Sequence, residues 1–243
     1  MAKLVQKSGY IKSGKASGYM RYIATREGVE KLAGNGAVTK GQRELIQKLL
    51  TDFPDAVELF EYEDYCKTPT LGTASAFITM ALDANLHGID SESGYMQYIA
   101  TRPRVQKHGS HGLFSSSTSV DLASAMSELE SHEGNVWTII YSLRREDAAR
   151  LEFDNADAWR TLLMENAPTL AKSMKISLDN FHWYAAFHDE GHHPHIHMMV
   201  WSDDPKEGFL TKDGIAAMRS KLTNAIFRDE MQQIYERKDV AYS

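Results

Sequence analysis

The chain has 243 residues, 42% of them apolar and 25% charged, and a formal net charge of −6, values that suit one globular domain with a proper core. No apolar run approaches the roughly 20 residues that cross a bilayer, and the basic start MAKLVQKSGYIKSGK lacks the apolar stretch of a secretory signal, so membrane insertion and export are not expected. A single cysteine, Cys66, excludes an internal disulfide framework and fits a reducing, cytoplasmic setting.

Along the chain, LVQKSGYI reads as a short strand. Residues 17–32, capped by Ser17 and carrying Tyr19, Tyr22 and Ile23 at helical spacing, read as a helix. A turn-rich break follows, then an amphipathic helix over 42–53 and another helix from Ala74 that Gly88 ends. The Gly/Ser-rich stretch KHGSHGLFSSSTS reads as a loop and 120–131 as a short helix. NVWTIIYSL has the β-branched and aromatic content of a buried strand. Residues 154–175 are helical, NFHWYAAFH and HIHMMVW form a hairpin across the loop DEGHHP, and the tail from 210 is mostly helix. Strands and helices therefore mix in an α+β order around a central antiparallel sheet, within one domain over residues 1–243.

Net negative charge argues against a nucleic-acid partner, but its distribution argues for one. Residues 1–48 hold ten basic side chains against three acidic ones, whereas 51–65 hold six acids and no base. A basic segment on an acidic body can steer a phosphate backbone to one face.

Part of that basic segment is repeated. SGYMRYIATREGV at 17–29 returns as SGYMQYIATRPRV at 93–105, with ten of thirteen positions identical. Two symmetric helices of one domain, or a duplicated DNA-contacting element, would each account for it.

Five of the ten histidines fall within residues 188–197. On a strand, side chains at i and i+2 share a face, so His195 and His197 point the same way. His188 closes the preceding strand and can return beside them across the hairpin. Three imidazoles placed so make a facial ligand set that leaves positions open for substrate, as a catalytic metal requires. The plain alternative is a histidine-rich surface hairpin. His192 and His193, in the loop, are expected to face solvent or DNA.

A histidine-held cation can polarise a scissile phosphate, and a nucleophile must then attack it. Tyrosine suits the task when the product is a retained, reversible ester. Tyr19, Tyr22, Tyr95 and Tyr98, all in the two repeat copies, are the candidates, although aromatics at such spacing are more often core.

On the YIATREG helix, HGLF, the NVWTIIYSLR strand and WYAAFHDEGHHPHIHMMVW, the chain resembles conjugative relaxases of the MobP type, nearest the third subtype. The resemblance implies an HUH endonuclease fold, Mg²⁺ or Mn²⁺ held by His188, His195 and His197, and a 5′-phosphotyrosine intermediate formed at a transfer origin. By likeness to the family's tyrosine motif, with Ile23 and Arg26-Glu27-Gly28 following it, Tyr22 is the expected nucleophile, with Tyr98 and Tyr19 as alternatives. The family's acid two places after the first histidine is aspartate. Here that place holds Glu190, with Asp189 one earlier, and both are candidates to orient a ligand. Single-stranded DNA is expected to lie on Lys12, Lys15, Arg21, Arg26, Arg102, Arg104 and Lys107, and Trp183 and Trp201 to be packed rather than stacked on bases. Accessory mobilisation proteins and a coupling protein are the implied protein partners. Relaxases commonly carry more chain beyond the nicking domain, so 1–243 is also expected to suit the N-terminal part of a longer protein. Two rival readings remain: a histidine-metal phosphodiesterase using activated water, and a non-catalytic DNA-binding module.

Overall fold

Two strands, β3 (Trp137–Ser142) and β5 (His195–Ser202), are buried on both faces, which is why their sequences read as continuous apolar runs rather than as alternation. They sit side by side at the middle of a five-stranded antiparallel sheet of order β1-β3-β5-β4-β2, with β1 at Val5–Tyr10, β2 at Leu113–Phe114 and β4 at Phe181–His188. The computed structural model describes residues 3–10, 36–85, 92–101, 105–107, 109–117, 119–189 and 193–228. The helix expected over 17–32, the end expected at Gly88 and the tail beyond 228 lie outside them.

One face of the sheet presents Ile139, Tyr141, Trp183, Ala185, Phe187, Ile196, Met198 and Val200. It is covered by α7 (Ala156–Ser173) and α8 (Lys212–Ile226), with Trp159 fully buried between layers. Pro168 stands inside α7 without ending it. The other face is covered in two parts. Val5 and Ile140 pack under α1 (Lys40–Asp52), α2 (Phe60–Lys67) and α3 (Leu71–Asn85). Ala186, Met199 and Trp201 pack under α4 (Glu92–Thr101) and α5 (Leu122–Glu130). A short helix, α6 (Arg145–Arg150), follows β3. This is the expected α+β architecture, a central antiparallel sheet flanked by helices. Trp183 and Trp201 are both buried, as expected.

Three elements depart from the sequence reading. Helix α2 is acidic and short, with little apolar periodicity, and α6 is a single turn and a half of mostly charged residues. Strand β2 lies within HGLF, inside the stretch read as loop, where Leu113 and Phe114 pair with Ala186 and Ala185. A two-residue strand is set by its partner and leaves no pattern of its own.

HGLF has a definite structural task. The His111 ring accepts from the Leu113 N–H at 3.1 Å, and Gly112 donates to the Ala100 carbonyl at 2.8 Å. A Cβ on Gly112 would collide with Val105 Cγ2 and stand 2.6 Å from the Gln106 carbonyl oxygen. Val105 bridges to His188, and the Gln106 N–H donates to Phe187, so this close approach holds the chain against the end of β4. Gly112→Ala is therefore expected to destabilise the protein by about 1–3 kcal/mol. Equilibrium denaturant unfolding measures this; unchanged stability would show that the 105–106 segment yields freely.

Candidate metal centre

Cross-strand register builds the site. Val5, Ser142, His195 and His188 form one row over β1, β3, β5 and β4, and Lys7, Ile140, His197 and Ala186 form the next. Paired residues of an antiparallel sheet share a face, so His188, His195 and His197 all project beneath the second helical layer. All three are 0% exposed. Their ring centroids lie 4.6–5.3 Å apart. One ligand atom from each ring can be chosen so that all lie within 4.8 Å of one another, the spacing a shared ion needs.

The outer bonds of these rings decide what the inner atoms can do. His188 Nε2 lies 2.8 Å from the Ile99 carbonyl oxygen, and His195 Nδ1 lies 3.0 Å from that of His193. Carbonyls only accept, so both ring atoms carry the proton. In the neutral rings, His188 Nδ1 and His195 Nε2 then hold the lone pairs a cation requires. His197 Nδ1 lies 3.1 Å from the buried Tyr95 hydroxyl. Three neutral imidazoles so held fit a divalent cation.

Beside the triad, α2 and α3 form a charged wall. His193 is buried, contrary to the expectation that it faces solvent or DNA. Its Nε2 meets the Asp64 carboxylate at 2.6 Å, and its ring stacks on Phe60 at 5.2 Å. Next to it, the Leu143 N–H donates to the Pro194 carbonyl at 3.2 Å, which ties the start of β5 to the end of β3. Arg144 also lies over the Phe60 ring and binds Glu63 at 2.7 Å and Asp64 at 3.3 Å. Burial would raise the Asp64 carboxyl, but hydrogen bonds and charge from His193 and Arg144 outweigh it and hold the group below its usual range. Buried Glu61 is pushed up to about 8, chiefly by desolvation with Asp64 and Asp83 adding to it, against its own backbone and Arg144. It is protonated at neutral pH and adds no charge to the wall.

The other expected site residues are dispersed. Among the described contacts, the Tyr98 hydroxyl donates to buried Asp83 at 3.3 Å. Asp189 pairs with Arg145 at 2.6 Å. Lys107 is exposed. Tyr19, Tyr22, Lys12, Lys15, Arg21, Arg26, Arg102, Arg104 and Glu190 lie outside the described residues. Part of the basic charge of the first 48 residues is answered internally, Lys7 by Asp55 at 3.0 Å and Lys48 by Asp52 at 2.8 Å.

A helix-flanked antiparallel sheet with a buried three-imidazole cluster defines an α+β protein with a candidate catalytic metal centre. The family of MobL relaxases matches residues 1–242, and the chain belongs to that family, whose members nick DNA for conjugative transfer. It is accordingly a relaxase that acts on single-stranded DNA at a transfer origin. Neither the curated proteins nor the solved structures gave a match. Among the described residues, no helix is long and apolar enough to cross a membrane.

Proposed function

We propose that this relaxase cleaves one strand by transesterification to Tyr22, with His188, His195 and His197 holding a divalent cation. This is the HUH chemistry that the likeness to the MobP type implies. The observation that carries the reading is the convergence of three fully buried imidazoles on two neighbouring strands, in a chain of a strand-nicking family. Imidazole donors suit first-row transition ions better than Mg²⁺, so Mn²⁺ is the expected occupant. When bound, the cation neutralises charge developing on the scissile phosphate.

The phenolic oxygen of Tyr22 forms a bond to phosphorus, and the bond from phosphorus to the 3′ oxygen breaks. The phenol gives up its proton and the departing 3′ oxygen takes one up, leaving a 3′-hydroxyl and a 5′-phosphotyrosine. Strand transfer reverses the step. Lys12, Lys15, Arg21, Arg26, Arg102, Arg104 and Lys107 neutralise backbone phosphates. The reading places the reaction in the cytoplasm, in one domain spanning 1–243, with accessory mobilisation proteins and a coupling protein as partners.

The test is incubation of the wild-type protein with Mn²⁺ and single-stranded oligonucleotides from its element's transfer origin. A denaturant-stable protein–DNA adduct, mapped by mass spectrometry to the peptide that contains Tyr22, is the expected result. Cleavage that leaves a free 5′-phosphate and no adduct would replace tyrosine with activated water. Binding without cleavage would leave a DNA-binding module.

A further inference from the structure

The second repeat copy lies against the metal centre, and its two tyrosines are not equivalent there. Helix α4 runs over the histidine face with Tyr95 and Ile99 one turn apart, on one side. From that side it makes two of the described outer contacts to the triad: the Tyr95 hydroxyl to His197 Nδ1 at 3.1 Å and the Ile99 carbonyl to His188 Nε2 at 2.8 Å. The Tyr98 hydroxyl, one turn from Tyr95, donates to Asp83 at 3.3 Å.

The third ring, His195, is held by the His193 carbonyl of its own hairpin. Two imidazoles are thus oriented by backbone oxygens, which no substitution at their own positions can delete. Only His197, among the described contacts, is oriented by a side chain. A hydroxyl can donate or accept, so this contact alone leaves the tautomer of its ring open. For His197 Nε2 to present a lone pair to the cation that His188 Nδ1 and His195 Nε2 face, Nδ1 must carry the proton and the Tyr95 oxygen must accept it.

We propose that Tyr95 is a positioning residue of the metal centre. Its hydroxyl accepts the His197 Nδ1–H and so fixes the ring, orientation and tautomer together, with Nε2 as ligand atom. The two copies of SGYMxYIATR then have different tasks: the second brackets two metal ligands, while the first supplies the nucleophile. This rests on the proposed metal-dependent reading of the triad. It is separate from the nucleophile question, because a positioning hydroxyl acts through affinity for the ion and not through a bond to DNA.

Calorimetric titration with Mn²⁺ alone, on wild type, Tyr95→Phe, Tyr98→Phe and His197→Ala, is the test, paired with strand cleavage as a function of Mn²⁺ concentration. Phenylalanine keeps the ring and its packing and deletes only the acceptor. Tyr95→Phe is expected to weaken Mn²⁺ binding about 10- to 100-fold, the range for losing an outer partner of a ligating histidine. The Mn²⁺ concentration for half-maximal cleavage should rise by the same factor, with cleavage and covalent adduct recovered at saturating Mn²⁺. Tyr98→Phe should bind Mn²⁺ as wild type does. Wild-type affinity in Tyr95→Phe would overturn the proposal. So would cleavage that stays lost at saturating Mn²⁺, which would make Tyr95 a reacting group. Failure of the wild type to bind Mn²⁺ at all, or binding undiminished in His197→Ala, would overturn the metal reading itself and this proposal with it.

Discussion

His195→Ala is expected to lower Mn²⁺-dependent strand cleavage by about 10³-fold or more while leaving a folded protein. His195 is one of the three rings of the triad, paired in register with Ser142 on one side and His188 on the other. Removing it leaves two imidazoles, too few to hold a small cation firmly against a phosphate. The fold should tolerate the change because β5 is fixed by its ladders to β3 and β4 and by Ile196, Met198 and Val200 on the opposite face. Destabilisation from the small void should stay within about 1–3 kcal/mol. Cleavage of a transfer-origin oligonucleotide, measured alongside thermal unfolding, separates the two effects. A folded variant that keeps a tenth or more of wild-type cleavage at matched Mn²⁺ would remove the triad from the mechanism.

Tyr22→Phe should abolish the covalent protein–DNA adduct and leave Mn²⁺ binding intact. A phenyl ring cannot form a phosphate ester, so no concentration of metal or substrate restores the product. This distinguishes the proposed nucleophile from Tyr95, whose loss excess Mn²⁺ is expected to repair. Tyr98→Phe is the informative companion, because Tyr98 stands in nearly identical sequence at the corresponding place of the second copy. Its hydroxyl is engaged with the buried Asp83 carboxylate, and its replacement should leave the adduct in place. An adduct that persists in Tyr22→Phe and disappears in Tyr98→Phe would move the nucleophile to the second copy.

Much of the site could be read before the fold. The i, i+2 spacing of His195 and His197 fixes their common face whatever surrounds them, and the hairpin brings His188 alongside. The strands NVWTIIYSL and HIHMMVW announced themselves because both faces are buried and β-branched, aromatic and other apolar residues dominate them. What could not be read are contacts made by groups without a sequence signature. The Ile99 carbonyl that orients His188 belongs to the backbone, and any residue type would offer it. Tyr95 stood among the tyrosine candidates, but nothing in one dimension says which of four tyrosines faces a histidine a hundred residues later. His193 resembles a loop residue until α2 is placed beside it with Asp64 and Phe60. The charged, short α2 and α6 were equally silent, because their helicity is decided by what they pack on.

The three imidazoles are carried by strands whose ladders and apolar undersides hold them together through the sheet's own bonds. In a zinc finger, by contrast, binding and folding are one event, and chelation unfolds the chain. On the proposed metal reading, folding and loading would here be separate equilibria. Almost none of the ion's binding free energy would be consumed in organising polypeptide, so occupancy should follow the free ion concentration like a simple adsorption curve. Loading would add stability only by mass action, rising with the logarithm of that concentration. On the proposed metal reading, the readiness of such a relaxase to nick would be set by the supply of metal.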